Sequence, residues 1–151
     1  MKTLIKILCL SVLWFSCESS TEPEDNVANL IGNWNYLTRN VTITDIDGQV
    51  TEDNTEYDEE NSSEIIFNED GSWNQSVFEG DNVINYSGTW SADGFILVMI
   101  YDDIPIESEI EYTFSDNSNT LSMFYSQIAT DADGNLFATY DVVLELERIN
   151  Q

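Results

Sequence analysis

Carboxylates dominate the chemistry open to this chain. It has 29 Asp and Glu residues against four Lys and Arg, and no histidine. Ser-His-Asp and Cys-His mechanisms and His-ligated metal sites are therefore excluded. Two segments, Asp45-Ile46-Asp47-Gly48 and Asp131-Ala132-Asp133-Gly134-Asn135, read D-x-D-G. Oxygen ligands at such spacing suit Ca²⁺, but neither run continues into a twelve-residue loop closed by glutamate. Hairpin turns recruit the same residues. Both are expected to be turns, with Asp131, Asp133 and Asn135 the candidates for a metal if one binds. Paired carboxylates can hydrolyse glycosides, yet acids are so frequent that neither Asp58-Glu59-Glu60 nor Asp102-Asp103 stands out. The expectation is a non-enzymatic protein without a cofactor.

The cysteines point to an address. Lys2 and Lys6 precede an apolar stretch, Ile7–Phe15, broken only by Ser11. That stretch is too short to span a bilayer and leads into polar sequence, as in a secretory signal. Leu13-Trp14-Phe15-Ser16-Cys17 resembles a bacterial lipobox, with small Ser16 before the cysteine that would be acylated. Cleavage there removes Cys9 and leaves Cys17 as the one cysteine, which can form no internal disulfide. The reading is a lipoprotein signal over 1–16, lipid on Cys17, and an acidic tether over 17–29. Acyl chains would hold the protein on a membrane, with the outer membrane of a Gram-negative envelope, or its cell surface, as the expected location. As a flexible chain the tether would reach on the order of 20 Å.

Charge narrows the partners. The formal net charge is −25, and loss of Lys2 and Lys6 would leave Arg39 and Arg148 as the remaining cations. Phosphate-backbone binding and a polybasic membrane patch both need clustered Lys and Arg. Nucleic acid is excluded as a partner. Hydrophobic residues at 42% and aromatics at 12% still supply a core.

The elements that position these residues read as strands. Ile106, Ile110, Tyr112 and Phe114 alternate with Glu107, Glu109 and Glu111, and Ala138, Tyr140, Val142, Leu144 and Leu146 share a face opposite Asp141, Glu145 and Glu147. Period two marks half-buried strands. Asp47-Gly48, Asp70-Gly71, Asp93-Gly94 and Asp133-Gly134 punctuate the pattern with turn chemistry that matches hairpin twist. The parse places strands at about 34–44, 49–57, 63–69, 72–79, 83–91, 95–101, 106–115, 120–128 and 136–149. Of these, 49–57 carries the weakest pattern. Phe95–Tyr101 (FILVMIY) is apolar at every position and is expected to be covered on both faces. Short connections favour an all-β, antiparallel up-and-down barrel of about eight strands over 30–151.

Leu30-Ile31-Gly32-Asn33-Trp34 opening the first strand resembles the G-x-W signature of lipocalins. Phe67–Trp73, Gly88–Gly94 and Asn119-Thr120-Leu121 are similar to segments of lipocalin-like lipoproteins of Gram-negative bacteria. The resemblance runs from Leu30 to the C-terminus. It implies that Trp34 packs across the closed end of the barrel and that Arg148 lies over it, a cation–π pair of about 0.5–2 kcal/mol. Gly32, Trp34 and Arg148 would then close the barrel and touch no ligand.

The remaining aromatics are the candidate binding set. Tyr86 and Trp90 share one strand face, Tyr112 and Phe114 another. Turned inward they would contact a small hydrophobic ligand, although large side chains can also fill a small barrel. The expected function is binding of such a ligand, or of a partner protein through the rim. The rival is a non-enzymatic surface accessory or glycan-binding module with a filled core.

Overall fold

The structure, a computed structural model, describes residues 23–103, 107–131 and 133–149. The signal segment, Cys17, the start of the tether and Ile106 lie outside the described residues. One helix, α1 (Pro23–Leu30), precedes nine strands: β1 (Gly32–Asp45), β2 (Val50–Glu56), β3 (Asn61–Phe67), β4 (Ser72–Glu79), β5 (Asn82–Asp93), β6 (Ile96–Tyr101), β7 (Glu107–Ser115), β8 (Thr120–Thr130) and β9 (Leu136–Arg148). All pairings are antiparallel, and β9 returns to pair with β1. β1 and β3–β9 thus form a closed eight-stranded barrel.

The extra strand is the weakly patterned one. One edge of β1 pairs with β3 over Gly32–Asn35 and with β2 over Thr38–Thr44. Among the described residues β2 pairs with nothing else, and Glu52, Asp53 and Glu56 guard that open edge with charge. Its apolar content is low because it flanks the barrel instead of walling it.

Two expectations need correction. Residues 23–29, read as tether, belong to α1. Pro23 suits the first helical position. An eight-residue helix is marginal alone, and this one is held by Leu30, which is fully buried and accepts a hydrogen bond from Trp34 Nε1 at 2.9 Å. The second correction concerns β6. Leu97 and Met99 are buried, but Phe95, Ile96 and Ile100 are exposed, Ile100 by 46%. Nothing covers the outer face of the barrel there among the described residues.

Candidate functional site at the open end of the barrel

The two ends of the barrel differ in chemistry. At the end reached by α1, Trp34, Phe67 and Tyr112 are fully or almost fully buried. Arg148 lies 4.3 Å from the centroid of the Trp34 ring. Its guanidinium donates to Ser118 O at 3.2 Å, to Ile31 O at 3.0 Å and to Asn29 O. Gly32 has φ +136°, and a Cβ there would stand 2.8 Å from Arg148 Nη1. The glycine is required twice, for its conformation and for the space the guanidinium fills. Burial lowers the Arg148 pKa from its ordinary value, though an arginine remains charged.

Of the four aromatics singled out in the sequence, three share this end. Phe114 packs on Trp34 and Tyr112 at ring separations of 5.9 and 5.6 Å. The buried Tyr112 hydroxyl donates to Gly94 O at 2.9 Å. Trp90 packs edge-on to Phe67 and donates to Asn68 O at 3.1 Å. Tyr86 stands apart, partly exposed beside Tyr101 at 6.5 Å. Alternation assigned a face to each residue but not its height along the barrel axis.

The Asp-Gly runs are hairpin turns of one design. Asp131 Oδ1 accepts from the backbone N–H groups of Asp133 and Asn135, both at 2.9 Å. Asp45 Oδ1 accepts from Asp47 N and Gln49 N at 2.9 and 2.8 Å in the same way. The side-chain and backbone hydrogen bonds from Asn135 hold the Asp131 carboxyl below its usual range. That oxygen is committed to closing its loop. Among the described residues no three acidic side chains converge as metal ligands.

The other end presents phenols around a cation. β1 carries a bulge between Tyr36 and Thr38 in its pairing with β9. Before it, Trp34 and Tyr36 face the core; after it, Arg39 pairs with Leu144 and Val41 with Val142. Leu144, Val41 and Val142 are buried, so Arg39 stands on the core face. Strict alternation from Trp34 would have put it outside. Bulges re-aim side chains in this way. Thr38 Oγ1, beside the bulge, is buried without a hydrogen-bond partner.

Tyr57 packs edge-on to Tyr36 at 5.5 Å, and Tyr101 packs on Trp73 at 4.8 Å. Tyr125 faces Val142 across the β8–β9 pair. Burial, and then the neighbouring phenols Tyr101, Tyr125 and Tyr57, push Tyr36 far above the ordinary phenol range. Burial also raises Tyr57 and Tyr125, each opposed by the positive charge of Arg39. Tyr101 is raised by burial and by Tyr86. The four phenols and Arg39 thus form one electrostatic neighbourhood, protonated and rich in donors at neutral pH. Its acidic partner is Asp53, 4.0 Å from Arg39 Nη1, with the two side chains 65% and 39% exposed.

Clefts open beside this cluster. One of about 300 Å³ is lined by Tyr36, Tyr57 and Ser63 and also by Asp58, Glu59, Glu64 and Glu147; another of about 350 Å³, in the wall where β7 and β8 part beyond Glu111, is lined by Tyr125, Ile110 and Val142 and also by Glu109, Glu111 and Asp141. The arrangement can bind and orient a molecule through apolar rings and N–H or O–H donors. Arg39, Tyr36, Tyr57 and Tyr101 escaped the sequence reading of the site. The available signal was the scarcity of cations, which made any arginine notable. No family model matches this sequence, and a comparison with characterised proteins finds no match.

Proposed function

We propose that the chain is a lipocalin-like binding protein of a Gram-negative envelope, held at the outer membrane by lipid on Cys17 after removal of 1–16. It binds a small apolar-bodied ligand at the mouth of the barrel and not deep within it. The observation that carries this reading is the contrast between the ends: Trp34, Phe67 and Tyr112 fill one, while the half-buried Tyr57, Tyr101 and Tyr125 stand toward the other. Ligand sites combine apolar walls with a few placed polar groups, and the mouth has both.

The neutral fluorophore N-phenyl-1-naphthylamine tests the site. It is expected to bind the mature protein with 1:1 stoichiometry and to lose affinity in Tyr57→Ala and Tyr125→Ala. Binding left unchanged by both substitutions would remove the mouth from consideration. The membrane half is tested separately. Cys17→Ala is expected to move the protein to the soluble fraction and to abolish fatty-acid labelling. A second reading, partner contact through the outer wall, draws on exposed Phe95, Ile96 and Ile100, which sit beside Glu107 and Glu111 across the β6–β7 pair.

A further inference from the structure

We infer that the mouth contains a subsite for one negative charge, a carboxylate or sulfonate on a small molecule with an apolar body, and that Arg39 is the group that receives it. The inference rests on the proposed mouth site and names the chemical class of its ligand.

Cations are the scarcest resource in this sequence. Beyond Lys6 the chain has Arg39 and Arg148 alone. Arg148 is fully engaged, donating to three carbonyls and covering Trp34. Arg39 is engaged by little. Its contact with Asp53 lies at the 4.0 Å limit of an ion pair, with both side chains well exposed, and such pairs contribute little stability and open readily. An anion arriving at Arg39 displaces a weak competitor.

Position argues the same way. An arginine whose only task was solubility would sit on the outer face, where the alternation of β1 would have left it. The bulge after Tyr36 instead turns it to the core face beside Leu144. Its positive charge acts on the phenols of Tyr57 and Tyr125. The guanidinium and these two hydroxyls are donors, and among the described residues Asp53 is the carboxylate within ion-pair distance of Arg39. A planar fork of N–H groups matches carboxylate or sulfonate oxygens two at a time.

The charge of the whole molecule limits what that anion can be. A protein of net charge −25 repels a polyanion in proportion to the charge that polyanion carries. A single charge experiences the least of that repulsion and gains the full contact with Arg39. The ring of Tyr57, packed edge-on to the buried Tyr36 at 5.5 Å, offers an apolar surface to the rest of the molecule. Small monoanions with an apolar body fit; nucleotides and nucleic acid do not.

Two probes with the same aryl-naphthylamine frame separate the contributions: the sulfonate 1-anilinonaphthalene-8-sulfonate and the neutral N-phenyl-1-naphthylamine. Arg39→Gln is expected to weaken the sulfonate about tenfold or more, the loss of a charge-assisted hydrogen bond, while neutral-probe affinity stays within about a factor of two of the wild type. Asp53→Asn is expected to tighten the sulfonate several-fold, by removing the competing carboxylate, without changing the neutral probe. Equal loss of both probes in Arg39→Gln, or loss of neither, overturns the subsite and leaves the mouth reading standing. Failure of both probes to bind the wild type overturns both. Should Arg39→Gln lose its circular-dichroism signature of folding, Asp53→Asn decides alone, and an unchanged sulfonate affinity there overturns the subsite.

Discussion

Arg148 donates to three backbone carbonyls from two separate stretches of chain while its guanidinium covers Trp34. A lysine would keep the charge and at most one of those bonds, since the planar fork is what reaches all three. Arg148→Lys is therefore expected to cost about 2 kcal/mol, read as a lower urea midpoint with an unchanged slope. The tyrosines give the residue scale a pH dependence. Tyr36, Tyr57, Tyr101, Tyr112 and Tyr125 are all raised, in each case chiefly by burial. Above a pH of about 10 the unfolded chain releases phenolic protons that the folded chain retains. The stability linked to these groups is thus complete below pH about 10 and is lost as pH climbs through the raised folded values. Urea midpoints at pH about 9 and about 11 should show the decline, and Tyr36→Phe should make it shallower. At this scale the sequence was only partly legible. Gly32, Trp34 and Arg148 could be placed because their motif carries its own geometry. Arg39 could not, because one inserted residue at the bulge reverses the face of every later side chain on β1.

The strands were the most legible elements, since period-two alternation and Asp-Gly turns are local signals. Phe95–Tyr101 misled because an apolar residue on an outer wall has the same letter as one in the core. The first residues of α1 misled because an acidic, proline-containing run serves equally as a tether or as a helix start. Two substitutions test how the elements are joined. Gly88 sits where β5 crosses Trp73, and a Cβ there would stand 1.8 Å from Ile100 O and 2.8 Å from Trp73 Nε1. Those are the partners of the hydrogen bond from Trp73 to Ile100 O, 3.3 Å long. Backbone cannot yield as a flexible side chain can, so Gly88→Ala is expected to cost about 3 kcal/mol and to open the β5–β6 pair, seen as faster amide exchange at Thr89. The β7–β8 turn makes the opposite case. Asp116, Asn117 and Ser118 have φ of 50°, 53° and 66°, a left-handed run that costs L-residues about 1–2 kcal/mol each. The turn is retained because Ser118 O and Asn119 O receive the Nε and backbone N of Arg148. Ser118→Gly keeps both carbonyls and relieves one strained position, and should raise stability by about 1 kcal/mol in the same urea measurement.

At the scale of the whole molecule, charge and polarity of the fold act together. Most of the chain's net charge of −25 lies on the barrel and repels itself, and added salt shortens the range of that repulsion to about 8 Å at physiological strength. The thermal midpoint of the mature domain is expected to rise with salt, and equally with magnesium or calcium, because Asp131 Oδ1 is already committed to its turn. A saturating response to calcium alone that disappears in Asp133→Ala would show a bound ion instead. Direction along the barrel axis is the second global property. α1 leads the chain in at the closed end, where Leu30 O accepts from Trp34 and Asn26 lies in a cleft with Phe95, Phe114 and Asn117. Pro23 follows Cys17 by six positions, a stretch that spans at most about 20 Å even when fully extended. The thirteen residues of β9 cover about 40 Å before tilt. A lipid on Cys17 would therefore keep the Trp34 end near the bilayer and present Arg39 and its tyrosines away from it. A fluorophore at Asn117→Cys, beside the closed end, should then be quenched by nitroxide-labelled lipid in vesicles bearing the lipidated protein. One at Asp47→Cys, in the β1–β2 turn at the mouth, should not. Quenching in the reverse order would place the mouth against the membrane and identify lipid itself as the source of its ligand.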